Sequence, residues 1–188
     1  KKHCEKRMIT LVPNHNSFGH MGAWLAIEQL KSLAECPDGF DRTDEFGVKT
    51  HLPPGVLNPL NSKSLELVDR LYSDVLPNFD SDMLNVGCDE AFELGMGYSK
   101  DVAEKVGKNK IYTDYMLKLD KVCKKYGKSM MFWADMIIDD TEALKRMPKN
   151  AIPIVWGYEQ EHPFYQQCKN VSECGLNFFV SPGTCAWG

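Results

Sequence analysis

Short apolar runs alternate along this chain with longer amphipathic stretches, and this alternation constrains the fold more than any other feature of the sequence. Each run is almost continuously apolar, which is typical of strands that are buried on both faces of a sheet. The runs are Met8–Pro13, Met83–Cys88, Ser129–Trp133, Ile152–Trp156 and Asn177–Ser181. We therefore predict parallel strands over these five segments.

Between the runs, the apolar residues recur with the period of a helix. One such stripe follows Asn61, a candidate N-cap, and ends at Pro77, while a second extends from Ile111 to Tyr126 and stops at Gly127. Two shorter helices are predicted, one beginning at Asp140-Thr141 and one running from Pro163 to Cys174. Strands that alternate with helices indicate an α/β fold, with a parallel sheet and helical crossovers.

The number of predicted strands limits the architecture. Five strands are too few to close an eight-stranded barrel, and 188 residues is short of the roughly 250 typical of that fold. We predict one domain over residues 1–188, which is either an incomplete barrel or an open sheet. The segment from Cys36 to Pro59 has no clear period, and we expect a lid, a binding loop or a disordered insertion there.

Charge and cysteine usage narrow the class of partner and the setting. A net charge of -4 and a pI near 5.7 give no field that would attract nucleic acid or an anionic membrane. No apolar run approaches the roughly 20 residues needed to cross a bilayer. The seven cysteines are scattered and lack zinc-site spacing. We expect mostly reduced thiols and a cytoplasmic location, and we leave a homodimer open.

Polar and aromatic residues follow each predicted strand. They are Asn14, His15 and His20 after the first, Asp89 and Glu90 after the second, Asp135 after Trp133, Tyr158 after Trp156, and Trp187 after the last. Because the carboxyl ends of barrel strands build one active site, we expect a single pocket. Indole rings beside carboxylates suit a sugar. Structural roles stay open for the histidines and Asn14, core positions for the tryptophans, and a helix cap for Asp135.

Two of these segments resemble motifs of a known family. The segment Leu84–Glu90, LNVGCDE, is similar to the signature of the family 20 glycoside hydrolases, the β-N-acetylhexosaminidases, in which a strand ends in Gly-x-Asp-Glu. Ile9–Pro13 followed by Phe18-Gly19-His20 resembles the preceding strand of that family. Trp133 and Trp156 lie where the family places tryptophans of the acetamido pocket. The resemblance covers nearly the whole chain and is strongest to the hexosaminidase D type.

The resemblance implies a (β/α)8 TIM barrel of which this chain supplies about strands three to seven. It also implies retaining, exo-acting hydrolysis of terminal N-acetylglucosamine or N-acetylgalactosamine from a glycan, with no metal or cofactor. In that family the 2-acetamido group of the substrate is the nucleophile. Glu90 would then be the acid and base, and Asp89 would stay ionised and bind the acetamido N–H. The implied substrate-binding residues are Asn14, His20, Trp133, Asp135, Trp156, Tyr158 and Trp187.

Two other functions stay open from the sequence. One is a metal-dependent barrel hydrolase, which would use the ligands His15, His20, Asp89 and Glu90, although their spacing is not that of a usual metal site. The other is a truncated barrel that binds sugar without catalysis. The arginine that the family supplies from its first strand and the tryptophan of its eighth strand have no match here, so we expect a fragment.

Overall fold

The computed structural model describes residues 1–44 and 46–184. The helices among them are α1 (Lys2–Glu5), α2 (Gly22–Leu25), α3 (Ser62–Val75), α4 (Lys100–Val106), α5 (Lys108–Lys125), α6 (Thr141–Arg146) and α7 (Phe164–Glu173). The strands are β1 (Phe40–Thr43), β2 (Lys49–Leu52), β3 (Met83–Asn85), β4 (Ser129–Trp133), β5 (Ile152–Gly157) and β6 (Phe179–Pro182). None of these helices combines the length and the apolar character that crossing a bilayer requires.

The main sheet is parallel, and its strands follow one another in the order β3-β4-β5-β6. Helices α4 and α5 connect β3 to β4, α6 connects β4 to β5, and α7 connects β5 to β6. Sequential parallel strands with helical crossovers are the repeating unit of a (β/α)8 barrel. The predicted fold class, a TIM barrel that is incomplete in this chain, is confirmed. The strands predicted at Ser129–Trp133, Ile152–Trp156 and Asn177–Ser181 correspond to β4, β5 and β6.

The first predicted strand, Met8–Pro13, is wrong. This segment meets β3 only at its carboxyl end, where Asn14 forms an isolated parallel bridge with Asn85. The Asn85 N–H donates to the Pro13 carbonyl at 2.9 Å. Met8 is 97% exposed, so the run is not covered by other described elements along its length. An apolar run indicates burial, but a strand also needs a paired neighbour.

Strand β3 is shorter than the predicted Met83–Cys88. The backbone of Gly87 (φ +69°) and of Cys88 (φ +72°) leaves the extended region, which ends the strand. Hydrogen bonds to β4 nevertheless continue, because the Trp133 N–H donates to the Gly87 carbonyl at 3.0 Å. The sheet therefore carries the chain as far as the carboxylates that follow Cys88.

The described part of the segment that lacked a period, residues 36–44 and 46–59, contains regular structure. It contains the antiparallel hairpin β1–β2, in which Phe40 pairs with Leu52, and it continues into the buried Val56 and Leu57. The Leu57 N–H donates to the Phe18 carbonyl at 3.0 Å, so this segment packs on the loop that leads to His20. The sequence did not reveal the hairpin because its strand residues are mostly exposed and polar.

Helix capping follows the sequence closely. The Asn61 side chain accepts from the Lys63 N–H at 3.0 Å and begins α3. The Asp140 carboxylate accepts from the Ala143 N–H at 2.9 Å and begins α6. Helix α4 was not predicted, because none of its residues is buried and it therefore has no apolar stripe.

Two buried tyrosines of α5 fix the segments at the carboxyl edge of the sheet. The Tyr112 hydroxyl donates to the Cys88 carbonyl at 3.1 Å, and the Tyr115 hydroxyl donates to the Ser17 carbonyl at 2.7 Å. The Phe18 ring packs against both, with ring centroids 5.9 Å from Tyr112 and 4.6 Å from Tyr115. One helix thus holds both the segment after β3 and the segment that precedes α2.

We expect Tyr112→Phe to lower the free energy of unfolding by about 1–3 kcal/mol, because the substitution keeps the ring but leaves the buried Cys88 carbonyl without its donor. Urea denaturation of the full-length protein measures this change. Tyr165→Phe is the matched control, since Tyr165 is 84% exposed and its loss of a hydroxyl should change stability by less than about 0.5 kcal/mol. Equal stability of the two variants would contradict the role of Tyr112.

Candidate active site

A cavity of about 400 Å³ opens at the carboxyl edge of the parallel sheet. Its lining residues are His20, Asp89, Glu90, Trp133, Trp156, Tyr158, Ser181 and Gly183. Six of the eight were predicted from the sequence as site residues. Ser181 and Gly183 were not, although they stand at the end of β6, where the same rule for barrel strands would have placed them.

The two adjacent carboxylates both reach one imidazole. His20 Nε2 lies 3.2 Å from Asp89 Oδ2 and 3.5 Å from Glu90 Oε2. The Asp89 side chain is 20% exposed and that of Glu90 is 40% exposed, so the first is the more enclosed. Neighbouring side chains of a strand point to opposite faces. These two share a cavity because β3 has already ended and Glu90 has a left-handed backbone (φ +48°).

Unusual backbone geometry is concentrated at this cavity. Among the described residues other than glycine, four have a positive φ, and three of them are His20, Cys88 and Glu90. A glycine is required at position 19, because a Cβ there would overlap the carbonyl oxygen of Asp89. Glycine thus allows the two segments to approach closely enough for His20 to meet both acids.

Asp135 lies behind the carboxylates and joins two parts of the site. Its Oδ2 accepts from the Glu90 N–H at 2.9 Å, and its Oδ1 accepts from the Trp156 indole N–H at 3.1 Å. Burial raises the pKa of Asp135 to about 6, and the charge of Asp89 adds to this rise, while the accepted hydrogen bonds oppose it. Asp135 does not line the cavity, so the structure places it as a positioning residue for Glu90 and Trp156.

The far wall of the cavity is aromatic. The rings of Trp156 and Tyr158 meet edge to face, with centroids 5.4 Å apart and an interplanar angle of 60°. Gly183 packs directly on Tyr158, where a Cβ would overlap the ring, and its N–H donates to the Gly157 carbonyl at 2.8 Å. The residue that follows β6 therefore packs against the Tyr158 ring.

Besides Asp135, two of the predicted residues that the structure describes do not line the cavity. Asn14 is exposed beside Asn85, and His15 bonds the Asn16 carbonyl at 2.8 Å and packs edge-on against Tyr72. Trp187 lies outside the described residues. The substrate-binding roles of Asn14 and Trp187 stay predictions.

The position of His15 also bears on the metal-dependent alternative. Of the four ligands suggested for it, only His20, Asp89 and Glu90 come together, with ligand atoms within 4.8 Å of one another.

Parallel strands that deliver two acids and several aromatic rings to one edge define a class, the glycoside hydrolases built on a (β/α) barrel. Comparison with known families is more specific. Residues 1–187 match the family described as Glycosyl hydrolase family 20, catalytic domain, and the chain belongs to this family.

Similar proteins agree with this membership. The chain is 26% identical over 165 residues to Beta-hexosaminidase 1 of Coccidioides posadasii, a match that covers 82% of this chain and 27% of that protein. The fold is similar to the Flavobacterium johnsoniae chitobiase, with a TM-score of 0.74 and 22% identity over 97% of this chain and 27% of that one. It is also similar to the exo-β-N-acetylglucosaminidase of Vibrio harveyi solved with N-acetylglucosamine, with a TM-score of 0.70 and 19% identity over 96% and 27% of the two chains. The chain thus spans about a quarter of the length of these relatives.

The position of Asp135 predicts that activity falls at acidic pH without a matching loss of stability. The pKa of Asp135 in the folded protein is about 6, which is above the ordinary value, so protonation of Asp135 favours the folded state. The stability that this carboxyl group contributes is present at low pH and is lost as the pH rises through 6. Acidification from pH 7 to 5 should protonate Asp135 and weaken the hydrogen bonds that it accepts from Glu90 and Trp156, which should lower activity. Protonation of Asp135 should not lower the melting temperature.

In Asp135→Asn the acid step near pH 6 should be absent, and activity should be reduced about tenfold at pH 7, since one of the two accepting oxygens becomes an NH2 group that cannot accept. Activity and melting temperature measured across pH 5–8 test both expectations. An unchanged acid step in the variant would remove Asp135 from the positioning role.

Proposed function

We propose that the full-length protein is a retaining exo-β-N-acetylhexosaminidase that hydrolyses terminal N-acetylglucosamine or N-acetylgalactosamine from a glycan. One observation carries the proposal: Asp89, Glu90 and His20 meet at a cavity walled by Trp133 and Trp156. A volume of about 400 Å³ is suited to one sugar ring. The names of the similar proteins support the same activity.

The spacing of the carboxylates favours retention of configuration. Ligand atoms of Asp89 and Glu90 lie within 4.8 Å of each other. Inverting glycosidases hold their two carboxyl groups about 6.5–9.5 Å apart, because a water molecule must fit on the opposite face of the sugar. Asp89 and Glu90 lie closer together than that, so this pair does not fit the inverting arrangement.

The different surroundings of the two acids support different roles. Asp89 Oδ1 is buried and has no hydrogen-bond partner among the described residues, so the site has an unused acceptor beside the cavity. An acetamido N–H is a donor that would satisfy it, and the charge of Asp89 would stabilise the positive charge that develops on the ring. Glu90 is the more exposed of the two acids that line the cavity, and we assign it to the side where the leaving group departs.

The reaction then proceeds in two steps. The acetamido oxygen of the substrate attacks the anomeric carbon while the glycosidic bond breaks, and Glu90 gives its proton to the leaving oxygen. Water next attacks the anomeric carbon of the oxazolinium ion, and Glu90 takes a proton from that water. The acetamido group is restored, and the product keeps the configuration of the substrate.

The sequence also suggests an oligomeric state and a cellular location for the proposed enzyme. The six described cysteines, Cys4, Cys36, Cys88, Cys123, Cys168 and Cys174, are free thiols. A cytoplasmic location and a homodimer stay predictions.

Replacing the acid should reveal its role. We expect Glu90→Gln in the full-length protein to lower kcat/KM by about 10²–10⁴-fold on a glycan substrate, because the amide cannot donate the required proton. The loss should be smaller on a p-nitrophenyl substrate, whose leaving group needs less protonation. Glu104→Gln, an exposed change on α4, is the matched control and should leave rates unaltered. Equal rates for wild type and Glu90→Gln would exclude Glu90 as the acid.

The three-residue cluster also allows a direct test of the metal-dependent alternative. In substrate-assisted catalysis the histidine and the carboxylates act through protons and charge, so we expect prolonged dialysis against a chelator to leave the hydrolysis rate unchanged. Loss of activity that a divalent cation restores would favour the metal-dependent hydrolase.

A further inference from the structure

A further cavity, of about 260 Å³, adjoins the active-site cavity and shares Trp156 with it. Asp135, Gly157, His162 and Gln167 also line this further cavity. Trp156 lines both cavities and is only partly buried, so packing against the core does not by itself fix its ring. The bond from its indole N–H to Asp135 fixes one point of the ring. The rest of its position depends on how the end of β5 is held.

The imidazole of His162 packs directly on the last residue of β5. A Cβ on Gly157 would overlap three atoms of the His162 ring, so the contact requires a glycine at this position. Side chains alternate along a strand. Gly157 therefore faces His162, while its neighbours Trp156 and Tyr158 both line the active-site cavity. The contact with His162 lies at the residue between the two rings of the aromatic wall.

The position of His162 is in turn fixed by α7 and by its own turn. Gln167 Oε1, on α7, accepts from His162 Nε2 at 2.8 Å, and Gln167 is buried. The backbone N–H of His162 donates to the Glu159 carbonyl at 3.1 Å, and its ring lies 4.4 Å from that of Phe164, measured between centroids. The His162 side chain is only 17% exposed. A largely enclosed imidazole thus connects the strand end to a helix that packs on the sheet.

We propose that His162 is a positioning residue, which fixes the aromatic wall of Trp156 and Tyr158 by holding Gly157 against α7. The inference rests on the proposed function, because it concerns the wall that contacts the sugar. His162 is not among the described residues that line the active-site cavity, so it acts through the strand end. A wall that is already fixed loses less conformational freedom when substrate binds. His162 should therefore affect binding of the sugar more than the proton transfers of Glu90.

The first test replaces His162 and its anchor in the full-length protein. We expect His162→Ala and Gln167→Ala each to raise KM and the inhibition constant of free N-acetylglucosamine by about 3- to 10-fold, because each leaves the wall to be ordered on binding. The value of kcat should fall by less than about twofold. Gln166→Ala is the matched control, since Gln166 is the exposed neighbour of Gln167 in the same helix, and it should change none of these constants.

Fluorine NMR of protein labelled with 5-fluorotryptophan separates positioning of the wall from a general loss of structure. The variants Trp156→Phe and Trp24→Phe assign the two resonances, and Trp24 lies on α2, away from this cavity. In His162→Ala the resonance of Trp156 should shift or broaden, while that of Trp24 should stay unchanged. Wild-type values of both the Trp156 resonance and the inhibition constant would overturn the inference. Equal changes of the two resonances would overturn it as well.

Gly157→Ala tests the contact itself. In the wild type the added Cβ would displace the His162 ring, so the inhibition constant should rise. In the His162→Ala background the same Cβ has room, so the second change should add little, and the two effects should not be additive. Additive effects would contradict the contact. A wild type that does not hydrolyse p-nitrophenyl β-N-acetylglucosaminide would refute the proposed function, whereas the NMR comparison tests the position of the wall independently of activity.

Discussion

The site depends on two backbone segments that approach each other more closely than side chains normally permit. Gly19 lies against the carbonyl of Asp89, and the left-handed His20 and Glu90 turn their side chains into one cavity. Such conformations cost about 1–3 kcal/mol each outside glycine. A buried hydrogen bond contributes only about 1 kcal/mol net, so the bonds from the α5 tyrosines cannot offset this strain alone. Burial of the completely enclosed Phe18 contributes about 2 kcal/mol more.

Charge is distributed unevenly among the three carboxylates at this edge. Asp89 and Glu90 share the imidazole of His20, whereas Asp135 has only the neutral N–H donors of Glu90 and Trp156. Burial is the main cause that raises the pKa of Asp135 to about 6. Asp135 therefore orients the Glu90 backbone and the Trp156 indole, while the partly buried Asp89 and Glu90 line the cavity.

The sequence predicted the parts of the molecule that depend on burial. Continuous apolar runs located β4 and β5, which are mostly buried, and also β6, although its residues are exposed. The rule that strand ends meet at one edge correctly placed Asp89 and Glu90 at the same cavity as Trp133. The apolar-run criterion failed for Met8–Pro13, because apolar character does not specify a pairing partner. The β1–β2 hairpin and α4 are exposed and carry no apolar period, so no pattern revealed them. The bridging role of Asp135 needed coordinates, since it depends on where an amide and an indole nitrogen approach.

The remaining question of mechanism is which atom attacks the anomeric carbon. Cys88 precedes the acids, but burial raises the pKa of its thiol well above the ordinary value and its Sγ contacts the Val86 carbonyl, so it stays protonated and inert. Asp89 shares one imidazole nitrogen with Glu90. An acid and an enzyme nucleophile must lie on opposite faces of the sugar, and a pair joined through a single nitrogen approaches from one side. Among the described residues that line the cavity, this leaves no second carboxylate for that role, and under the proposed function the oxygen of the substrate's own acetamido group takes it.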